Sequence, residues 1–223
     1  DSWRPQFQVL RESVGAFGVM RLHLVHFGGA VKPEWRAALE QTGVQVINYI
    51  PHNAYLVYGT SAALGQVQAW ARTASHVQWD GTYLPEHKIH PRARVLDSKG
   101  NPRKLTTDTF ILQMVADPEA NSATLALINQ LKLAPVQKQS RVSDYLNVIV
   151  RLPPARVEEV AARPEVISIH PFYEHKKLDE RQDQIVAGNL SGTGPAGPGY
   201  LAWLTSKGFS QPQFTASGFT VDV

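Results

Sequence analysis

Residues 44–58, VQVINYIPHNAYLVY, form two apolar-rich segments around a short polar turn. Valine, isoleucine and tyrosine favour strands, and Pro51-His52-Asn53 is typical of a tight turn. The stretch therefore predicts a β-hairpin. The patterns on either side of this hairpin decide the fold.

Strand and helix patterns flank the hairpin symmetrically. Before it, the alternating residues 21–27 predict a strand, and residues 33–40 predict a helix that begins at Pro33 and is followed by Gly43. After it, Ser61 is placed to cap a second helix, and residues 77–79 predict a short strand. The predicted order is β-α-β-β-α-β.

The same order recurs further along the chain. Residues 110–115 predict a strand, and Asp117 and Pro118 predict the start of a helix. Residues 136–150 predict a hairpin. Pro153 predicts the start of another helix, and residues 166–169 predict the last strand. Matching residues recur at nearly one separation, which indicates a duplicated domain. The matches are Tyr55-Leu56 with Tyr145-Leu146, Val77 with Val166, and Glu86-His87-Lys88 with Glu174-His175-Lys176.

The duplication predicts an α+β fold made of two tandem ferredoxin-like domains. Each should have a four-stranded antiparallel sheet with its helices on one face. The first domain is predicted at residues 1–91 and the second at 107–178, joined by a polar linker at 92–106. Residues 179–223 are predicted to be a Gly/Pro-rich linker and a further fragment with a short helix and a terminal strand.

Composition excludes several classes of function. The net charge is only +3, and the lysines and arginines are spread along the chain, which disfavours a nucleic-acid partner. The absence of cysteine excludes disulfides and thiolate metal sites. No apolar run is long enough to span a membrane, so no membrane partner is expected.

No motif in the sequence predicts a metal or cofactor site. His23 and His26 fall on opposite faces of a strand and cannot share an ion, and His87 and His90 have the same difficulty, so the histidines are interpreted as exposed strand or turn residues. The glycines at 188–199 lack the Lys-Ser/Thr of a phosphate-binding loop. A set of aromatic residues is interpreted as core: Trp35, Tyr49, Tyr55, Tyr58, Trp70, Trp79 and Tyr83.

The C-terminal stretch carries a family resemblance. Residues 199–204 (GYLAWL), Gly208 and residues 218–223 (GFTVDV) resemble the start of the catalytic domain of subtilisin-like serine peptidases, the subtilases. In that family a short helix precedes a strand that carries the first triad residue in an Asp-Ser/Thr-Gly motif. Asp222 lies inside the strand, so the resemblance places the catalytic Asp beyond Val223, and no catalytic residue is assigned in this chain.

The part of the chain before this stretch is similar to a subtilase propeptide. Such a propeptide is a single β-α-β-β-α-β domain ahead of the catalytic domain, whereas this chain has two such domains in tandem. The resemblance implies a secreted or extracytoplasmic precursor whose N-terminal region assists folding of the catalytic domain and inhibits it. The catalytic domain of the same precursor is the implied partner. His175, Lys176 and Lys177 would occupy the non-primed subsites of the cleft, with Leu178 next to the scissile bond.

Four expectations follow from the resemblance. The precursor should be a serine endopeptidase, whereas this chain alone should be inactive, and we expect that it is part of a longer polypeptide. Because only the second domain adjoins the enzyme, removing residues 1–95 should weaken inhibition less than removing residues 106–178. The alternative from another class is a tandem ferredoxin-like sensor that binds a small molecule and is thermally stabilised by it.

Overall fold

The computed structural model describes residues 16–174, 182, 185, 188, 190–195, 200–216 and 218. The chain divides into two compact units, Asp1–Tyr173 and Glu174–Val223. The first unit contains two ferredoxin-like domains, so the predicted α+β fold is confirmed. None of the described helices is long and apolar enough to cross a membrane.

The first domain has the predicted β-α-β-β-α-β order. Its strands form one antiparallel sheet in the order β2-β3-β1-β4, with β1 paired to both β3 and β4. Its elements are β1 (Arg21–Phe27), α1 (Pro33–Glu40), β2 (Gln45–Ile50), β3 (Ala54–Gly59), α2 (Ser61–Thr73) and β4 (Val77–Thr82). A short helix, α3 (Pro85–Lys88), and a 3-10 turn (Pro91–Ala93) follow.

The ends of these elements follow from local chemistry. His52 and Asn53 have positive φ angles of 69° and 66° in the tight turn between β2 and β3. The cap of α2 differs from the prediction, because Thr60 rather than Ser61 is the N-cap and its hydroxyl accepts a hydrogen bond from the Ala63 amide at 3.2 Å.

The second domain repeats the topology, with sheet order β6-β7-β5-β8. Asp117 caps its first helix as predicted, and its carboxylate accepts hydrogen bonds from the Glu119 and Ala120 amides. Its elements are β5 (Thr109–Val115), α4 (Pro118–Leu131), β6 (Lys138–Val142), β7 (Tyr145–Arg151), a 3-10 turn (Pro154–Arg156), α5 (Val157–Ala161) and β8 (Val166–Pro171).

Each sheet packs its helices on one face, and alternation along the strands creates that core. Val25 and Phe27 of β1 pack with Leu39, Leu64 and other apolar residues of α1 and α2. In the second domain the alternating buried residues of β5 and β7 pack against α4 and α5. The strand residues are Phe110, Leu112, Met114, Leu146, Val148 and Val150, and the helix residues are Ile128, Leu131, Val157, Val160 and Ala161.

A third apolar cluster joins the two domains. Leu22, Leu56 and Tyr58 of the first domain pack with Val115 and Ile167 of the second. Leu22 and Val115 alternate with the core residues of their strands, so they lie on the sheet faces opposite the helices. The two sheets therefore meet through part of these opposite faces.

The described residues of the second unit include a short β9–β10 pair and the helices of residues 200–206 and 211–216. Strand β9 (Leu190–Ser191) pairs antiparallel with β10 (Gly194–Pro195). Helix α6 (Tyr200–Ser206) includes the predicted 200–204 helix, and helix α7 (Gln211–Ala216) follows. The predicted terminal strand at residues 219–223 lies outside the described residues.

Candidate functional site

The predicted cleft-blocking tail, His175, Lys176, Lys177 and Leu178, lies outside the described residues. The chain leading to it is fixed at the start of β5. The Phe172 amide donates to the Thr109 carbonyl at 2.8 Å, and the hydroxyls of Tyr173 and Thr106 are 2.7 Å apart. The second domain therefore holds the chain up to Tyr173, where the first compact unit ends.

The corresponding Glu86-His87-Lys88 segment of the first domain lies against the second domain. It forms α3, and the Tyr83 hydroxyl donates to the His87 carbonyl at 3.2 Å. Only 4% of Lys88 is exposed, and its Nζ donates to the Arg163 carbonyl at 2.7 Å. Lys88, known from the sequence only as part of a repeated triplet, is thus an interdomain contact.

Lys88 faces a second buried charge, Glu165. Burial lowers the pKa of Lys88 to about 8, and the Glu165 charge opposes this shift. Glu165 is fully buried, and neither of its carboxylate oxygens has a hydrogen-bond partner within the described part of the chain. A buried charge is costly unless it is compensated, and the Glu165 charge offsets part of the cost of burying Lys88 without a hydrogen bond between the two side chains.

Tyr58 and Asp117 form a second polar contact at the same interface. The Tyr58 hydroxyl donates to Asp117 Oδ2 at 2.9 Å, and burial followed by this bond raises the pKa of Tyr58. In a third contact the second domain is the donor: the Tyr145 hydroxyl donates to the Ile47 carbonyl of the first domain at 2.6 Å.

The histidines do not form a metal site in the described residues, where no three metal-ligating side chains come together. The interpretation of the histidines as exposed is wrong for His23: only 1% of it is exposed, and its Nε2 lies 3.0 Å from Asp80 Oδ2 inside the first domain. The His90 and His170 rings are 4.9 Å apart, and burial and the His90 charge lower the pKa of His170.

The aromatic residues divide between core and surface. Tyr58 is 1% exposed, whereas Tyr49 is 47% exposed. Trp35 stacks on His76 with ring centroids 4.5 Å apart and also packs parallel to Phe27. Most of these contacts extend the first core, so they indicate packing.

Two shallow clefts flank the linker region. One, of about 310 Å³, is lined by α3, Ile89, the 94–97 segment and Glu158. The other, of about 560 Å³, is lined by residues 103–108 and Pro154. In the first cleft the Arg94 side chain donates hydrogen bonds to the Glu86 and Ile89 carbonyls.

Comparison with known proteins gives one family match. A family described as a domain of unknown function (DUF8729) matches residues 3–84, which cover most of the first ferredoxin-like domain. A search of curated proteins gave no match. Among solved structures, the crystal structure of a microcompartments protein from Desulfitobacterium hafniense DCB is 17% identical, with a TM-score of 0.31, over 70% of this chain and 97% of that one. Similarity at this level assigns no function here.

Proposed function

We propose that this chain is the N-terminal propeptide region of a secreted subtilisin-like serine endopeptidase. It assists folding of the catalytic domain and blocks its cleft until maturation. The observation that carries the proposal is the division of the chain between Tyr173 and Glu174, immediately before the residues that resemble a propeptide exit tail. The helix Tyr200–Ser206 supports it, because the subtilase resemblance requires a short helix there.

The inhibitory step depends on an extended tail. Residues 175–178 would lie in the cleft as an added strand, and their backbone groups would bond to the enzyme in the way a substrate does. Leu178 would be next to the scissile bond. Tyr173 and Phe172 are held at the start of β5, so the tail would leave from a fixed point, which reduces the entropy lost when it binds.

The second sheet offers the surface for docking. Part of its face opposite the helices is covered by the first domain, through Val115 and Ile167. Ile111 and Ile149 on the same face stay half-buried, as do Gln113 and Asn147, which bond to each other at 3.2 Å. The proposal places the enzyme against this remaining strip.

The test is a titration of the purified chain against its own catalytic domain, with hydrolysis of a chromogenic peptide as the readout. We expect saturable inhibition, followed by slow recovery as the chain is cut. Leu178→Asp should weaken inhibition strongly, whereas Leu133→Asp, at a leucine that is 53% exposed, should not. Mass spectrometry of the mature N-terminus then checks whether processing occurs between Leu178 and Asp179.

The absence of inhibition would remove the cleft-blocking role. A thermal shift on adding amino acids or other small molecules, in a chain that does not inhibit, would instead favour the sensor alternative.

A further inference from the structure

Residues 84–93, which follow the last strand of the first domain and are called its tail below, complete the core of the second domain. Ile89 is 5% exposed and Ala93 is 1% exposed, and both belong to the second core. Ile89 forms a parallel bridge with Ile169, and the His90 amide donates to the Ile169 carbonyl at 2.9 Å. Because β8 is at the edge of its sheet, this segment extends the sheet by a further short strand.

Lys88 fixes the same segment electrostatically. Its ammonium group bonds to the Arg163 carbonyl and is attracted by the Glu165 carboxylate. Arg163 and Glu165 lie in the turn that leads into β8, and Glu165 is held there by its own carbonyl, which accepts from the Val115 amide at 2.9 Å. The acceptor groups for Lys88 are therefore part of the second domain and are positioned by its sheet.

Contacts outside the tail add to this attachment. The Tyr83 hydroxyl also lies 3.2 Å from the Ile167 carbonyl, so its single hydrogen is shared between this carbonyl and that of His87, and the Tyr58–Asp117 and Tyr145–Ile47 bonds add to this contact. The apolar cluster through Leu22 and Val115 lies beside them. The two domains thus share apolar area, backbone pairing and the bond from Lys88 to the Arg163 carbonyl.

The linker that joins the two domains covalently is, by contrast, exposed around residues 96–101. Leu96 is 48% exposed, and the 97–101 turn is closed by two backbone hydrogen bonds and by the Asp97 carboxylate, which accepts from the Lys99 and Asn101 amides. Nothing in this turn belongs to the two domain cores. An exposed, polar turn of this kind is a preferred site of proteolysis.

We propose that the second domain carries a recognition site for residues 84–93, with Lys88 as the anchor, and that the first domain stays bound to it after the linker is cut. The site is formed by the β8 edge, the Arg163 carbonyl and Glu165. This inference does not depend on the proposed function. If that function holds, cleavage in the linker is not enough to release the inhibitor. The deletion of residues 1–95, expected to weaken inhibition less than the deletion of residues 106–178, would also remove Ile89 and Ala93 from the second core.

The test uses the full chain with a sequence-specific protease site inserted between Lys99 and Gly100. After complete cutting, the two fragments are followed by size-exclusion chromatography with light scattering over a dilution series. We expect one species with the mass of the uncut chain at micromolar concentration. Separation of two folded fragments at that concentration would overturn the proposal.

Variants of the nicked protein test the anchor. Lys88→Met keeps the length of the side chain and removes the charge, and Glu165→Gln keeps the shape and removes the opposite charge. Lys88→Met should raise the dissociation constant roughly 10- to 100-fold, since it removes the buried donor of the Arg163 carbonyl bond, and Glu165→Gln should raise it less, since no direct bond to Lys88 is lost. The double variant should lose less than the product of the two changes. Lys138→Met, at an exposed lysine of β6, is the charge-matched control and should have no effect.

Hydrogen exchange on the uncut, unmodified chain keeps the proposal testable if a variant does not fold. The His90 amide should exchange as slowly as the β5–β8 amides, because it bonds to the same sheet edge. Fast exchange at His90, with β8 protected, would contradict docking of the tail. Equal effects of Lys88→Met and Lys138→Met on dissociation would remove Lys88 as the anchor.

Discussion

Ile89→Ala is the substitution that tests most directly where the boundary between the two cores lies. Ile89 follows α3 in the sequence of the first domain, yet it is 5% exposed and packs in the second core. The change removes three carbon atoms from a buried side chain. At about 0.8 kcal/mol for each buried methylene-sized group, the transfer cost alone is about 2.4 kcal/mol.

The cavity left behind adds to this transfer cost. Large-to-small changes of isoleucine to alanine in cores cost about 2–5 kcal/mol, depending on how far the surroundings relax. Ile89 sits at the edge of the sheet, where β8 can relax, so we expect about 2–4 kcal/mol of lost stability. The bridge between Ile89 and Ile169 is made by backbone atoms and should persist in the variant.

The assay is urea unfolding of the full chain, combined with hydrogen exchange resolved to individual strands. Ile185→Ala is the matched control, because Ile185 is 50% exposed, and it should change stability by no more than about 0.5 kcal/mol. Exchange should accelerate in β5 and β8 at least as much as in β1 and β3. A loss below about 1 kcal/mol, or acceleration confined to the first sheet, would refute the packing of Ile89 in the second core.

Three further changes probe other parts of the chain. Tyr58→Phe removes the hydroxyl that donates to Asp117 and should cost about 1 kcal/mol in thermal or urea unfolding, because Asp117 keeps its cap bonds. His170 has a pKa lowered by burial and by the His90 charge, so the unfolded chain binds the proton more readily. Stability should therefore fall as pH drops through about 6.5, and His170→Gln should flatten that part of the curve in thermal melts from pH 5 to 8. Gly59→Ala would place a Cβ 2.9 Å from a valine methyl carbon of the first core and should cost about 1–3 kcal/mol in urea unfolding, whereas a neutral result would show that the core yields there.

Local patterns were sufficient to predict most of the elements. Residues 21–27 alternate apolar and polar side chains, and β1 has those bounds. Asp117 followed by Pro118 predicts the start of α4, because the carboxylate and the missing amide hydrogen are both requirements of a helix N-terminus. These features depend on neighbours in the sequence, which is why they can be read from it.

Burial of charge could not be predicted in this way. Lys88 and Glu165 are 77 positions apart (165 − 88), and each lies in a short polar stretch that is usually exposed. The repeated Glu-His-Lys triplet was the available signal that residues 86–88 matter, but it indicated an extended tail and not a short helix with a buried lysine. His23 was missed for the same reason, since its partner Asp80 lies on another strand.

The bridge between Ile89 and Ile169 also sets an order of events during synthesis. These residues are 80 positions apart (169 − 89), and β8 is the last strand of the two domains to leave the ribosome. Residues 84–93 therefore emerge with their apolar side chains before any surface exists to receive them. Closing so large a loop costs entropy, and the contacts that offset this cost form only when β8 has paired. We expect residues 84–93 to reach their final contacts only after β8 has paired, although the first domain has a core of its own.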